Sequence, residues 1–481
     1  MTDGGRRGMR ICFGFGVHHP YLLNRAFHPD DARGRKHLTE AYFSSRTRDA
    51  FLRAVNDAYL PTLAALDGWR ERGVACTFSI SGPAVEHLER WAPDALDLLR
   101  RVVSAPGTEL LAQTYYHGIA ERLGDACEVE EQVVQHRRLM EETFGKRPAI
   151  YDATDFAFSR DVAETVRRAG LAGIYIEGNE RVLAGRNPNC IYRSEGLPVL
   201  VRHCPLSDDV ARRFFMQHWD QYPLTPGKYA GWIAASPGDC VHASIDLGVL
   251  RQGDGTGPDI LGFIRDLPDA LEQAGVAATV PSEIIAAASE GDAIWDGKED
   301  ARHLNMMQQS AVDALQSGGR WLPEKQIWRL LQEVDHFHAM AMKSGSCGEA
   351  FHQASQEEAF SAFDTYMRIL SDYEERSAAM VRSKRAALSL RCVPPEKAFH
   401  FSSPDRTAGF AAHSLEELAD MLEYASDEVI AYHRERGDFT RWITEVIGDT
   451  VIGRTVQECE SRDELRAALQ ARIHALWNRL R

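Results

Sequence analysis

Apolar and polar residues recur with two different periods along this chain, and the change of period near residue 300 divides it. The clearest stretch runs from Lys146 to Arg193. Ala149-Ile150-Tyr151 is a short apolar run that breaks into Asp152, Thr154 and Asp155. Ser159 is then placed to cap a helix with Val162, Val166 and Ala169 on one side, and Gly170 ends it. Ala172 to Ile176 reads as the next strand, closing on Glu177, Asn179 and Glu180. The stretch therefore predicts a βαβ unit with carboxylates where strands end, the edge at which parallel α/β folds gather their chemistry. A lone carboxylate at such a place also serves as a simple turn cap.

The same alternation extends from residue 10 to about 285. Arg10 to Val17 predicts the first strand, ending on His18-His19-Pro20-Tyr21. Residues 40 to 72 read as helix, Ala75 to Ile80 as a strand stopping at Ser81-Gly82-Pro83, and Leu88 to Val103 as helix restarting at Pro93. Glu109 to His117 reads as a strand with an amide, hydroxyl and imidazole cluster at its end, and Val129 to Phe144 as helix. Leu197 to His203 is strand-like, Trp219 to Thr225 lies in an irregular segment, Val241 to Asp246 is a strand, and Asp259 to Gln273 is a helix. Ala278 to Val280 leads into a helix start at Pro281. This repetition implies a parallel sheet closed or nearly closed into a barrel, with Asp155 and Asp246 at one rim.

Beyond about residue 300 the strand period disappears. Ile327, Leu330, Leu331, Val334, Phe337 and Ala341 fall at helical spacing, with Trp328, Gln332 and Asp335 on a neighbouring stripe of the same helix. Phe360 to Tyr373 adds another helix, and Glu374 to Arg391 extends it or links onward. Val393-Pro-Pro395 punctuates the chain before a small domain in which Ser414 and Glu417 form a capping-box start and Gly437-Asp438 breaks the pattern before Trp442. The predicted division is a flexible tail over 1–8, a barrel over 9–290, a helical bundle over 291–391 and a small, mostly helical domain over 392–481.

A chain of 481 residues has room for a large core, and its net charge of -15 argues against a nucleic-acid partner. The nine cysteines form no C-x-x-C pair and read as buried thiols of a reducing compartment. No apolar run reaches the roughly 18 residues of a membrane span, and the polar, Gly-rich start lacks a signal peptide's apolar centre, so the expectation is a cytoplasmic protein without a membrane partner. The adjacent His18 and His19 invite a metal reading, but neighbours in an extended segment point to opposite sides and no third ligand stands at convincing spacing. A hydrogen-bonding or sugar-binding histidine is preferred. Trp219 is either a stacking platform for a sugar ring or an anchor for its loop.

Taken together, His18-His19-Pro20, Glu109 to His117, Ile176-Glu177-Gly178-Asn179-Glu180 with Arg186 to Tyr192, Trp219 to Thr225, and Gln332-Glu-Val-Asp335-His336-Phe337 resemble, in order, the motifs of glycoside hydrolase family 57, nearest its intracellular α-amylase branch. The resemblance covers roughly residues 9 to 380 and implies a (β/α)7 barrel followed by an α-helical bundle that covers the barrel mouth. It also implies action on an α-glucan or maltooligosaccharide through two carboxyl groups, with no cofactor and no metal. The family's nucleophile, a glutamate, falls on Asp155, and the general acid falls on Asp246, whose neighbours Leu247 to Arg251 replace a polar run. His18, Tyr116, His117, Glu177, Trp219 and Asp335 are the substrate-binding positions the resemblance implies.

Retaining glycosidases hold two carboxyls about 5 to 5.5 Å apart, and shortening Glu to Asp withdraws one of them by about 1.5 Å. A slow retaining enzyme, an inverting enzyme that admits water, and a degenerate amylase that senses or scaffolds glycogen-like glucan all remain open. So does a metal-dependent deacetylase on a similar barrel. The sequence also leaves open whether the chain forms an oligomer.

Overall fold

The computed structural model describes residues 8–35, 37–154, 158–251, 257–287, 293–295, 304–319, 321–323, 325–341, 355–403 and 406–480. The chain divides into two compact units. The first comprises Met1–Tyr21, Ser45–Arg302 and Ser344–Phe351, and the second Leu22–Ser44, His303–Lys343 and His352–Arg481.

The first unit is built on a mostly parallel sheet. Its strands are β1 (Arg10–Val17), β2 (Cys76–Ile80), β3 (Thr108–Ala112), β4 (Ile150–Asp152), β5 (Gly173–Ile176), β6 (Tyr192–Ser194), β7 (Leu197–Val201), β8 (Cys240–Asp246), β9 (Ala277–Thr279) and β10 (Ala293–Ile294). They lie in the order β10-β6-β7-β5-β4-β3-β2-β1-β8, with β9 also pairing β1. From β8 through β1, β2, β3, β4 and β5 to β7 every pairing is parallel, while β6 returns antiparallel beside β7. The predicted βαβ unit is present as β4, the helix Arg160–Arg168 and β5, with Ser159 accepting from the Val162 amide as the cap.

Alternation decides which side chains each face receives. One face buries Ile11, Phe13, Phe15 and Val17, Phe78 and Ile80, and Val241, Ala243 and Ile245 against the helices Leu60–Glu71 and Ile260–Gln273. There the Trp69 indole donates to the Ile264 carbonyl at 2.8 Å. Tyr151, Ile174, Ile176, Val199 and Val201 continue this face in a second apolar cluster. The opposite face therefore carries Cys12, Gly14 and Gly16 of β1, Ser79 of β2, Asp152 of β4, and Cys240, His242, Ser244 and Asp246 of β8.

Several expected boundaries shift for identifiable reasons. Ser81-Gly82-Pro83 starts the helix Gly82–Trp91, because Ser81 accepts from the Ala84 amide and Pro83 occupies the first turn, where its missing N–H costs nothing. The strand expected over Glu109 to His117 stops at Ala112, and His117 adopts a left-handed φ of 50°. The reading of the cysteines needs correction as well: Cys12, Cys76, Cys204, Cys240 and Cys392 are buried, but Cys127 is exposed and Cys190 and Cys459 are intermediate. Cys347 lies outside the described residues.

In the second unit the single helix expected through Ile327 to Ala341 is two short helices, Gln326–Leu330 and Val334–His338, interrupted at Glu333, whose ψ of 128° is not helical. Helical spacing persists across the break because Leu331 and Val334 are both buried. Trp328 donates to the Leu315 carbonyl at 2.8 Å and Tyr366 to that of Leu331 at 3.0 Å, fixing both pieces to the helices Met306–Gly319 and Gln356–Ala378. The last segment is mostly helical and opens with an unforeseen antiparallel pair, β11 (Phe399–Ser403) and β12 (Arg406–Ala412). Ser414 caps the helix Leu415–Tyr424 as expected, accepting from the Glu417 amide.

Candidate active site

Polar side chains of the opposite face collect at the C-terminal ends of the parallel strands. His18 follows β1 directly, and its Nδ1 lies 2.8 Å from the Ser81 hydroxyl at the end of β2. Its carbonyl accepts from the Tyr59 hydroxyl at 2.8 Å, so main chain and ring are both held. The His18 ring stands 4.5 Å, centroid to centroid, from that of His117. His117 Nδ1 lies 2.6 Å from Gln113 Oε1, while Gln113 Nε2 donates to Ser79 at 3.0 Å. Because the amide oxygen only accepts, Nδ1 carries the hydrogen and Nε2 is the acceptor of the neutral ring. The left-handed backbone at His117 is the kind of local strain that surrounding structure must hold in place. Here the Thr114 carbonyl accepts its amide at 3.0 Å.

Beside this pair, Gly82 passes flat against the Tyr115 ring, where any Cβ would collide. The Tyr115 and Tyr21 hydroxyls donate to the two oxygens of Glu86 at 2.7 and 2.9 Å. Burial raises the Tyr115 phenol above its ordinary range, and the Glu86 charge adds to this, so the hydroxyl stays a donor. Tyr116 is buried against Tyr115, and its amide faces the Gln132 side chain.

Farther along the sheet, Glu177 follows β5 and pairs with Arg202, just beyond β7, at 3.1 Å, with both side chains largely buried. Cys204 donates to the same carboxylate at 3.1 Å, and Arg202 also reaches the Ser244 carbonyl at 2.9 Å. This ion pair links the ends of β5, β7 and β8. Asp246 ends β8 in register with Gly16, and a Cβ at Gly16 would stand 3.3 Å from Asp246 Oδ2, so the glycine makes room for the carboxylate. Asp246 Oδ1 accepts from the Gly248 amide at 2.6 Å. Its neighbours Leu247 and Leu250 are fully buried in the helix-packed core.

Of the expected site residues, the structure brings His18, His117, Glu177 and Asp246 to one edge of one sheet. Asp155 lies outside the described residues; Thr154 before it donates to the Gly118 carbonyl at 2.9 Å and stands 3.4 Å from Glu121. Trp219 is half-buried against the helix-packed core, edge-on to Trp232 at 6.1 Å and beneath the Arg213 guanidinium, which is the anchoring arrangement. Asp335 sits in the first turn of Val334–His338 in the second unit. Arg202, Ser81, Gln113 and Glu121 belong to the arrangement without having been singled out. For Arg202 a signal existed, since Pro198, Leu200 and Arg202 alternate along the expected strand.

Burial raises the Glu121 carboxyl to about 7, a shift that hydrogen bonds from Tyr151 and Thr154 moderate. No helix among the described residues is long and apolar enough to cross a membrane.

A family model described as Glycosyl hydrolase family 57 matches residues 12–294. A curated protein of Methanocaldococcus jannaschii named "Putative alpha-amylase" is 28% identical over 400 residues, covering 76% of this chain and 84% of its own length. Among solved structures, a GH57-type branching enzyme of Pyrococcus horikoshii superposes with a TM-score of 0.56 at 12% identity, covering 78% of this chain and 90% of its own. A GH57 branching enzyme of Thermococcus kodakaraensis, in complex with glucose, gives 0.54 at 10% identity, over 89% and 96% of the two chains. At these identities the structural matches show a shared fold.

Proposed function

The chain belongs to glycosyl hydrolase family 57, and from that membership we propose an enzyme that cleaves or transfers segments of an α-glucan, maltooligosaccharides included. The amylase and branching-enzyme names of its relatives support the substrate class. The observation that carries the reading is Asp246, a carboxylate held at the C-terminal end of β8, opposite a glycine and on the same edge as His18, His117 and Glu177.

In this reading Asp246 protonates the departing glycosidic oxygen and Asp155, one residue beyond Thr154, attacks the anomeric carbon. His18 and His117 present ring nitrogens to sugar hydroxyls, and the Glu177–Arg202 pair fixes the spacing of three strand ends. Tyr116 remains a proposed substrate-binding position, its ring packed against that of Tyr115. Trp219 and Asp335 remain proposed sugar contacts on sequence grounds, with the packing of Trp219 favouring a loop anchor.

The sheet supports a (β/α)7 barrel over residues 9–290, because the His203 amide just past β7 donates to the His242 carbonyl of β8 at 2.7 Å. A bundle over 291–391 and a C-terminal domain over 392–481 complete the proposed layout. Incubating the full chain with linear maltooligosaccharides and separating the products tests the function. Redistribution of chain lengths, abolished in Asp246→Asn, is the expected result; binding without any product favours the glucan-binding, non-catalytic alternative.

A further inference from the structure

At the opposite end of the same sheet face, three soft donors meet. The parallel register that sets Arg10 beside Cys240 and Cys12 beside His242 joins cysteines 228 positions apart in sequence. Cys12, Cys240 and His242 are 2%, 0% and 1% exposed, and one donor atom from each lies within 4.8 Å of the others. Tyr175, Ile191, Leu200 and Ile284 wall them in, with the Tyr175 ring edge-on to His242 at 5.4 Å. Among the described residues His242 Nδ1 has no hydrogen-bond partner, an orphan that costs about 1 to 3 kcal/mol in such a setting.

The two sulfurs stand 3.7 Å apart. A disulfide requires about 2.05 Å. Two thiolates on one tetrahedral ion, each about 2.3 Å from it, stand about 3.8 Å from one another.

We propose that Cys12, Cys240 and His242 form a Zn2+ site that fastens β1 to β8 beneath the polar edge. Binding forms two Zn–S bonds and one Zn–N bond and releases the two thiol protons to water, with a solvent oxygen in the fourth position. Two thiolates and a neutral imidazole leave the Zn2+ complex uncharged, which suits an apolar wall; a monovalent ion would leave a buried net charge.

The test uses the full chain, expressed without a polyhistidine tag in medium supplemented with Zn2+, dialysed against EDTA and assayed by mass spectrometry for metal per chain. About one Zn2+ per chain is expected, falling at least tenfold in Cys12→Ser and in Cys240→Ser, with circular dichroism reporting the fold. Refolding the wild type with Co2+ keeps the question open to refutation should the variants not fold. A thiolate-to-cobalt charge-transfer band with tetrahedral d–d absorption supports the site, and its absence overturns it. Folded wild type with less than a tenth of an equivalent of Zn2+, or Zn2+ retained by both serine variants, also overturns it. So does a thiol titration in denaturant that finds two fewer than the nine cysteines, which marks a disulfide pair instead.

Discussion

On the polar face of β8, Cys240 and His242 stand at one end and Ser244 and Asp246 at the other, four positions of a single alternation with two different surroundings. The first two are sealed under Tyr175, Leu200 and Ile284, whereas Ser244 and Asp246 are half-buried at the strand's C-terminal end. The sealed end holds soft donors, which a thiophilic cation neutralises. The half-exposed end holds oxygen donors fixed by hydrogen bonds and an arginine, which can carry charge because water or a hydroxylated ligand reaches them. Burial, rather than position in the strand pattern, thus decides which chemistry each end supports.

The largest effect that separates the two ends belongs to Asp246. Replacing it with Asn keeps an oxygen for the Gly248 amide, so the fold should survive, yet an amide supplies no proton to a leaving group. Turnover on maltooligosaccharides should fall on the order of a thousandfold with little change in melting temperature, while Cys240→Ser should lower the melting temperature and leave turnover intact. A Cys240→Ser enzyme that is folded but inactive would erase the proposed division of labour.

The half-exposed end was the more legible in sequence. His18, His117, Glu177 and Asp246 each terminate or follow a strand-like run, so a local pattern exposed them. The sealed end was not legible, because Cys12 meets Cys240 and His242 only after β8 pairs with β1, and no spacing within one segment encodes that. The same limit hid Arg202 as a partner for Glu177, which is 25 positions away. Helical periodicity misled in the second unit for a related reason: a buried stripe can continue across a break such as Glu333, since periodicity records which side is buried and not whether the backbone hydrogen bonds continue.

Arg202 gives the next effect. Arg202→Met keeps a long apolar stem but leaves Glu177 as a buried carboxylate without its cation, a change that costs about 3 to 5 kcal/mol where the partner stays charged. Urea unfolding should show that loss, and Glu177→Gln combined with Arg202→Met should recover much of it. Equal stability of the single and double variants would mean that the pair is solvated and that this edge resembles ordinary surface.

Glu121 is a half-buried carboxyl that meets the polar edge through Thr154. Tyr151 donates to the Glu121 carboxyl, and the Thr154 hydroxyl, which donates to the Gly118 carbonyl, stands 3.4 Å from it. Its folded pKa of about 7 exceeds the unfolded value, so the native state binds the extra proton. The associated stability is fully present below about pH 4.5 and is lost as pH rises through about 7, amounting to roughly 3 kcal/mol. Glu121→Gln should flatten this part of the stability profile between pH 5 and 8. An unchanged profile assigns the slope elsewhere, for instance to Glu374, which burial raises to about 8.

The smallest effect concerns the residue after Thr154. If the edge is assembled for catalysis and only the reach of Asp155 limits it, Asp155→Glu restores one methylene, about 1.5 Å, and turnover on maltooligosaccharides should rise about tenfold. Thr154 is already fixed by its bond to the Gly118 carbonyl, so the added length should go into reach rather than into backbone movement. Asp246→Asn in the same chain should abolish the gain, because the longer nucleophile still needs its partner to protonate the leaving oxygen. The stereochemistry of the first product sharpens the result. A gap widened by the shorter side chain admits water and inverts the anomeric centre, whereas the restored glutamate should return retention. An Asp155→Glu protein that binds maltooligosaccharides without turning them over would reject the geometric account and leave this edge as a glucan-binding surface, differing from the sealed end in ligand alone.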